Sequence, residues 1–227
     1  MHIQRSDVRS PFARRSFLSR LGGGLVAAGT ALGASASTAM AQGTSGAAWQ
    51  ATRHPEDDWL DKIPGKHRTF LDTVSARGVG EALHFASNII TTSKSGYGLE
   101  SNEVAIVVCL RHAATAFAFT DAIWSKYGAS LPPDPKTNAA AMKNPFNAPD
   151  RRDETFDALI KLGVHFAICD KSTQGLAGSL ARKTEGKSDA VYKELLANVI
   201  GGSHMVPSGI VALGHAQEHG YAYAYSG

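Results

Sequence analysis

Apolar residues in this chain fall either in short continuous runs or at intervals of three and four. A continuous β-branched run such as 103–110 is typical of a strand buried on both faces of a parallel sheet. Shorter or alternating runs predict further strands, and the last of them is the closing segment 221–225. The predicted strands are 68–74, 103–110, 164–169, 204–208 and 221–225.

Helix-period segments separate these runs. The predicted helices are 78–93, 113–127, 154–162, a segment from Asp170 to about Arg182, 188–200, and a last helix from 209 that Gly220 stops. We expect Asp170, Ser172 or Thr173 to cap the helix that follows strand 164–169. Alternation of strands and helices predicts an α/β three-layer sandwich with a mainly parallel sheet, of flavodoxin- or Rossmann-like topology.

One segment, 128–153, is rich in proline and asparagine and lacks both periods. A loop of this length is unusual inside a compact domain. We therefore expect it to act either as a lid or as an oligomer contact.

The first 41 residues have the composition of an export signal. Arg14 and Arg15 precede Ser-Phe-Leu and a run rich in Gly, Ala and Ser, which matches a twin-arginine signal. Ala39 and Ala41 supply the small residues of a cleavage site. The run has too few strongly apolar residues for a transmembrane anchor, which is the alternative interpretation. We expect a periplasmic protein with no membrane anchor after cleavage.

Removing 1–41 changes the charge of the chain. That segment carries a net charge of +4, whereas the whole chain carries +3, so the remainder carries about −1. Since no later segment shows a basic stripe, no nucleic-acid partner is predicted. We expect 42–65 to be a flexible lead-in and 66–227 to be a single domain.

Candidate chemistry gathers at the ends of two predicted strands. Cys169 ends one strand just before a helix, and Arg111 and His112 follow strand 103–110. Ligands of parallel sheets bind at this edge, and a helix N-terminus lowers the pKa of a facing thiol. The alternative is that Cys169 is a small buried hydrophobic residue. Cys109 lies within an apolar run, which favours a core position, although two cysteines permit one disulfide.

The last helix contains His215, Glu218 and His219 in the order of an inverted zincin motif. A catalytic zinc needs a third ligand, and only eight residues follow His219. A capping or solvated role near the helix end is therefore favoured over a zinc hydrolase, and no metal site is predicted. The chain has no nucleotide-binding glycine motif, and we predict no cofactor.

The second half of the chain resembles the DsrE/DsrF-like group of sulfur-relay proteins. The resemblance rests on "LIKLGVHFAICDKSTQGLAG" and "MVPSGIVALGHAQEHGYAYAY", with "VVCLRHAATAF" where the family has a strand ending near a histidine. It covers 66–227 apart from the 128–153 loop and is nearest to exported members with a twin-arginine signal. The matching residues are Gly163, Val164, Cys169, Ser208, Gly209, Gln217, Gly220, Tyr221, Ala222 and Tyr223.

The resemblance implies a parallel-sheet fold that assembles into homotrimers or hexamers. It also implies that Cys169 carries a persulfide between a sulfur donor and an acceptor protein. From their positions in the sequence, we expect Arg111, His112 and Ser172 to bind at the same site. Export and the Pro-rich loop are departures from the cytoplasmic relay proteins. The alternative is a non-catalytic oligomeric periplasmic protein that binds a small ligand or a metal, with Cys169 structural.

Overall fold

All five predicted strands are present and belong to one sheet. They are β1 (His67–Thr73), β2 (Val104–Leu110), β3 (His165–Cys169), β4 (Ser203–Val206) and β5 (Ala222–Ser226). The order is β4-β3-β2-β1-β5, and every neighbouring pair is parallel. The computed structural model describes residues 50–148 and 154–227. The predicted signal peptide, 1–41, therefore lies outside the described residues, as does the end of the 128–153 loop.

Seven α-helices accompany the strands among the described residues. They are α1 (Asp58–Lys62), α2 (Ala76–Tyr97), α3 (Asp121–Tyr127), α4 (Phe156–Lys161), α5 (Asp170–Lys183), α6 (Ser188–Leu196) and α7 (Gly209–Glu218). In the described part of the chain, no helix is long and apolar enough to cross a membrane.

Helices cover both faces of the sheet because side chains alternate between the faces along each strand. One face buries residues such as Leu71, Val108 and Phe166 against helices α2 to α6. The other face buries Phe70 and Val107 against α1 and α7. The molecule is therefore the predicted α/β three-layer sandwich, with a sheet that is parallel throughout.

The predicted helix over 113–127 is wrong in its middle. A 3-10 helix occupies His112–Ala118, and α3 begins only at Asp121. Between them Phe119 forms an antiparallel bridge with Val199, and the Thr120 N–H donates to the Asn198 carbonyl at 2.9 Å. These backbone groups cannot also bond within a helix. The same bridge explains why α6 ends at Leu196 rather than at 200.

The described part of the lead-in differs from the flexible segment that the sequence predicts. Residues 58–62 form α1, and Leu60 and Ile63 are buried in the core beneath α7. Arg68 donates to the carbonyls of both residues, at 2.8 Å and 3.2 Å. Tyr221 also donates to the Leu60 carbonyl, at 2.8 Å. The buried side chains of Leu60 and Ile63, together with these hydrogen bonds, attach an otherwise polar segment to the domain.

The described part of the 128–153 loop is attached to the domain by two buried residues. Asn144 donates from its amide to the carbonyls of Phe117 and Phe119, at 2.8 Å and 2.9 Å. Phe146 packs its ring edge-on against Phe117 and Phe156. These contacts hold the loop against its own domain, and its role as a lid or an oligomer contact stays a prediction.

Candidate functional site

Cys169 lies where the sequence places it, at the carboxyl end of β3 and at the N-cap position of α5. The predicted capping residues are wrong, because the side chains of Asp170, Ser172 and Thr173 do not cap this helix. The strand enters the helix without a loop, so all three lie inside its first turns. Thr173 instead donates its hydroxyl to the Cys169 carbonyl at 3.0 Å.

Ser172 connects the ends of β2 and β3. Its hydroxyl donates to the Cys169 sulfur at 3.3 Å and accepts the backbone N–H of His112 at 3.0 Å. Cys169, Ser172 and His112 are thus brought together as the sequence predicts. His112 makes this contact through its backbone N–H, and the residue is exposed at the surface.

His112 has a φ of +51°, in the left-handed region that residues with a side chain rarely occupy. The conformation directs the N–H of His112 to the Ser172 hydroxyl. Backbone held in such a region tends to occur at functional sites, where the surrounding structure compensates for its cost. The strain therefore falls at the edge that holds Cys169.

Arg111 is paired with Asp72, a residue that the sequence analysis missed. Its Nε and Nη2 donate to the two carboxylate oxygens of Asp72 at 2.7 Å and 2.8 Å, and Asp72 is fully buried. The hydrogen bonds to Asp72 raise the pKa of Arg111. Tyr223 lies 3.5 Å from the same carboxylate. The charge of Arg111 is therefore balanced within the protein rather than left free for an anion.

The sequence contains one indication that Asp72 is a buried charged residue. It is an acidic residue inside the apolar run "TFLDTV", close to the end of its strand. The register pairs Asp72 with Cys109, two residues before Arg111, so residues on neighbouring strands meet at one edge. A charged residue buried in a strand normally has a partner, but the sequence does not identify which one.

Cys109 occupies the predicted core position and does not form a disulfide, since both cysteines are free. Burial raises the pKa of its thiol, which keeps it protonated and inert. Its sulfur lies 3.8 Å from the Gly209 carbonyl at the start of α7. A Cβ on Gly209 would lie 2.9 Å from that sulfur, so glycine permits the close approach of α7 to β2.

Access to Cys169 is narrow, because only 4% of its surface is exposed. A buried thiol is unreactive unless a reactant can reach it. The arrangement therefore offers a thiol that lies at a helix N-terminus and accepts a hydrogen bond from a serine hydroxyl. A donor can attack it only after neighbouring side chains move.

The histidines of the inverted zincin motif pair with carboxylates instead of standing free. His215 Nδ1 lies 2.5 Å from Asp57, and His219 Nδ1 lies 2.9 Å from Asp61. His219 is buried, so a solvated role is wrong for this residue, but it does occupy the C-cap position of α7, where its backbone N–H donates to the His215 carbonyl. Across the described ranges 50–148 and 154–227, no group of three or more histidine, cysteine or acidic residues is arranged to hold a metal ion.

Comparison with known proteins assigns no function to the chain. No family model matches the chain, and no curated protein matches it. Among solved structures, it is similar to a protein of unknown function from Methanobacterium thermoautotrophicum, with 17% identity and a TM-score of 0.37. The similarity covers 70% of this chain and 99% of that one. It identifies neither an activity nor a ligand.

Proposed function

We propose that the protein handles sulfur, with Cys169 accepting and passing on a sulfane sulfur as a persulfide. The supporting observation is the position of its thiol at the N-terminus of a 14-residue helix, 3.3 Å from the Ser172 hydroxyl. The hydroxyl and the helix N-terminus both place positive partial charge beside this sulfur. The resemblance to sulfur-relay proteins of the DsrE/DsrF-like group supports the same assignment.

The transfer needs no redox partner. The Cys169 thiolate attacks the outer sulfur of a donor such as thiosulfate, and a new sulfur–sulfur bond forms. The donor's own sulfur–sulfur bond breaks, and sulfite leaves with its electron pair. The resulting persulfide then passes its terminal sulfur to an acceptor thiolate by the same displacement, which regenerates Cys169. Ser172 would donate a hydrogen bond to the sulfur that carries the negative charge.

The intact mass of the purified protein after incubation with thiosulfate tests this assignment. We expect the mass of one additional sulfur atom, lost again on reduction. Cys169→Ser should abolish the gain, and Cys109→Ala should retain it because that thiol is buried and inert. A free Cys169 thiol that gains no sulfur would contradict the proposal.

We also propose export by the twin-arginine route and assembly into a trimer or hexamer. These follow from Arg14–Arg15 and from the family resemblance. Periplasmic fractionation of a strain with Arg14→Lys and Arg15→Lys tests export, and we expect the double variant to stay in the cytoplasm. Light scattering of the purified protein measures the assembly, and a monomer would contradict it.

A second candidate is a non-catalytic binding protein in which Cys169 is structural. Two observations favour it: the 4% exposure of Cys169, and the pairing of Arg111 with Asp72, which balances the charge of Arg111 within the protein. A Cys169→Ala variant that keeps its assembly and its ligand would support this candidate over sulfur transfer.

A further inference from the structure

A pocket of about 360 Å³ opens between the lead-in and the start of α7. Pro207, Val211 and Ala212 form its apolar wall. His215 and Asp57 form its polar end, together with His54 and Glu56. Pockets of this size, largely apolar with a few convergent polar groups, are typical of small-molecule sites. None of the groups assigned to sulfur transfer lines it.

An aspartate orients a histidine at the polar end. Asp57 is buried, and its Oδ2 lies 2.5 Å from His215 Nδ1. A carboxylate at this distance holds the proton on Nδ1, which leaves the lone pair on Nε2. His54 stacks on the same ring, with centroids 5.6 Å apart and planes at 15°. The imidazole is thus fixed from two sides, and Nε2 is the nitrogen available to a ligand.

We propose that this pocket binds a small neutral molecule with an apolar body and one O–H or N–H donor, which His215 Nε2 accepts. The apolar wall of Pro207, Val211 and Ala212 receives the body. The carboxylates of Glu56 and Asp57 disfavour an anion at the same end. The ligand class is therefore phenol-like or alcohol-like rather than acidic.

This inference is independent of persulfide chemistry at Cys169. It gives the second candidate function a place and a ligand class. The two can fail separately, because the sulfur test reads the mass on one thiol and the test below reads binding at the His215 ring.

Titration of the purified protein at pH 8 with phenol, toluene and benzoate tests the proposal, monitored by the ring ¹⁵N signals of His215. We expect saturable phenol binding that shifts Nε2 more than Nδ1. Phenol should bind roughly 3- to 10-fold tighter than toluene, which is the usual net contribution of one hydrogen bond. Benzoate should bind more weakly than phenol.

Two variants separate the donor contact from the pocket itself. His215→Phe keeps a ring against His54 but has no ring acceptor, and it is combined with Asp57→Ala so that no freed carboxylate accepts the phenol in its place; this variant should lose most of the preference for phenol over toluene. Val211→Phe fills the pocket from a half-exposed position and leaves the Asp57–His215 pair intact, so it should weaken both probes. The proposal is overturned if the wild type does not prefer phenol, or if either variant binds as the wild type does. Because Val211→Phe leaves His215 and Asp57 unchanged, its result does not depend on the folding of the His215→Phe variant.

Discussion

At the scale of single residues, the ion pair of Asp72 and Arg111 is the most demanding contact of the candidate site. Its acid is fully buried, and its base is 16% exposed. Removing one member leaves the other as a buried charge without a partner, which costs far more than the pair itself contributes. The pair therefore limits which substitutions this edge tolerates.

We expect Asp72→Asn to lower the free energy of unfolding by about 3–5 kcal/mol, because Arg111 would keep its charge without a counter-ion. Urea denaturation measures the loss. Arg77→Ala is the matched control, since Arg77 pairs with Glu81 at the surface and should cost under about 1 kcal/mol. Equal small losses in the two variants would show that Asp72 is not a required partner.

Gly209 and Gly214 lie on the same helix, and we expect their replacement by alanine to have opposite effects on stability. Gly209→Ala places a Cβ 2.9 Å from Cys109 and Arg111 atoms, so we expect a loss of about 1–3 kcal/mol from overpacking. At Gly214 a Cβ meets nothing within 4 Å, so Gly214→Ala should gain up to about 1 kcal/mol from helix propensity. Thermal unfolding of the two variants measures both, and a harmless Gly209→Ala would contradict the close approach of α7 to β2.

At the scale of elements, two Asp–His contacts join α1 and the residue before it to α7 and the residue after it. Asp57 and Asp61 are four residues apart, as are His215 and His219, so each pair lies along one helical side. The contact with His219 lowers the pKa of Asp61. The H-x-x-E-H pattern therefore serves to attach the lead-in. The four-residue spacing of its two histidines matches the spacing of Asp57 and Asp61 in the segment that packs against α7.

A second histidine pair lies between β3, β4 and α1. His204 stacks on Trp59 with centroids 4.0 Å apart, and its Nε2 lies 3.1 Å from His165 Nδ1. Burial lowers the pKa of His204 to about 4, and burial also lowers the pKa of His165. In the folded protein both rings therefore stay neutral at pH values where an unfolded chain would protonate them.

The sign of the resulting pH dependence follows from linkage. Above pH 6.5 neither state binds a proton, so the stability is fully present; between pH 6.5 and 4 the unfolded state takes up protons first, and stability falls. The His204→Phe ring can still stack on Trp59. Between pH 7 and pH 4.5, we expect this variant to lose roughly 1–3 kcal/mol less stability than the wild type. Urea denaturation at pH 7 and pH 4.5 measures it. His67→Phe, at an exposed position, is the control and should keep the wild-type dependence.

At the scale of the whole molecule, the described part of the lead-in, residues 50–65, belongs to the domain. Compared with a chain that begins at Gln42, a chain that begins at Lys66 should lose about 3–6 kcal/mol of stability. It no longer buries Leu60 and Ile63. Arg68 also loses both carbonyl acceptors. Urea denaturation of the two chains measures the difference, and equal stabilities would show that 42–65 is the flexible segment that the sequence predicts.

The sequence is informative where one signal acts along one stretch of chain. Buried strands such as 103–110 are continuous apolar runs, so the sheet and its fold class are predictable. Phe119 is mistaken for a helical residue because its strand-like partner, Val199, is 80 positions away. Asp72 and Arg111 meet only through the register of β1 and β2. The position of Cys169 is predictable, whereas its neighbours and its limited exposure depend on packing.

The strand order also determines when the fold can be completed. β1 is paired on one side by β2 and on the other by β5, the last strand of the chain, with Thr69 opposite Ala222. During synthesis one edge of β1 is therefore open until β5 has left the ribosome, and closing it joins two strands that are far apart in the sequence. Such long-range parallel pairing is slow and leaves a strand exposed to aggregation meanwhile. A nascent chain therefore leaves one edge of β1 unpaired until β5 has been synthesised.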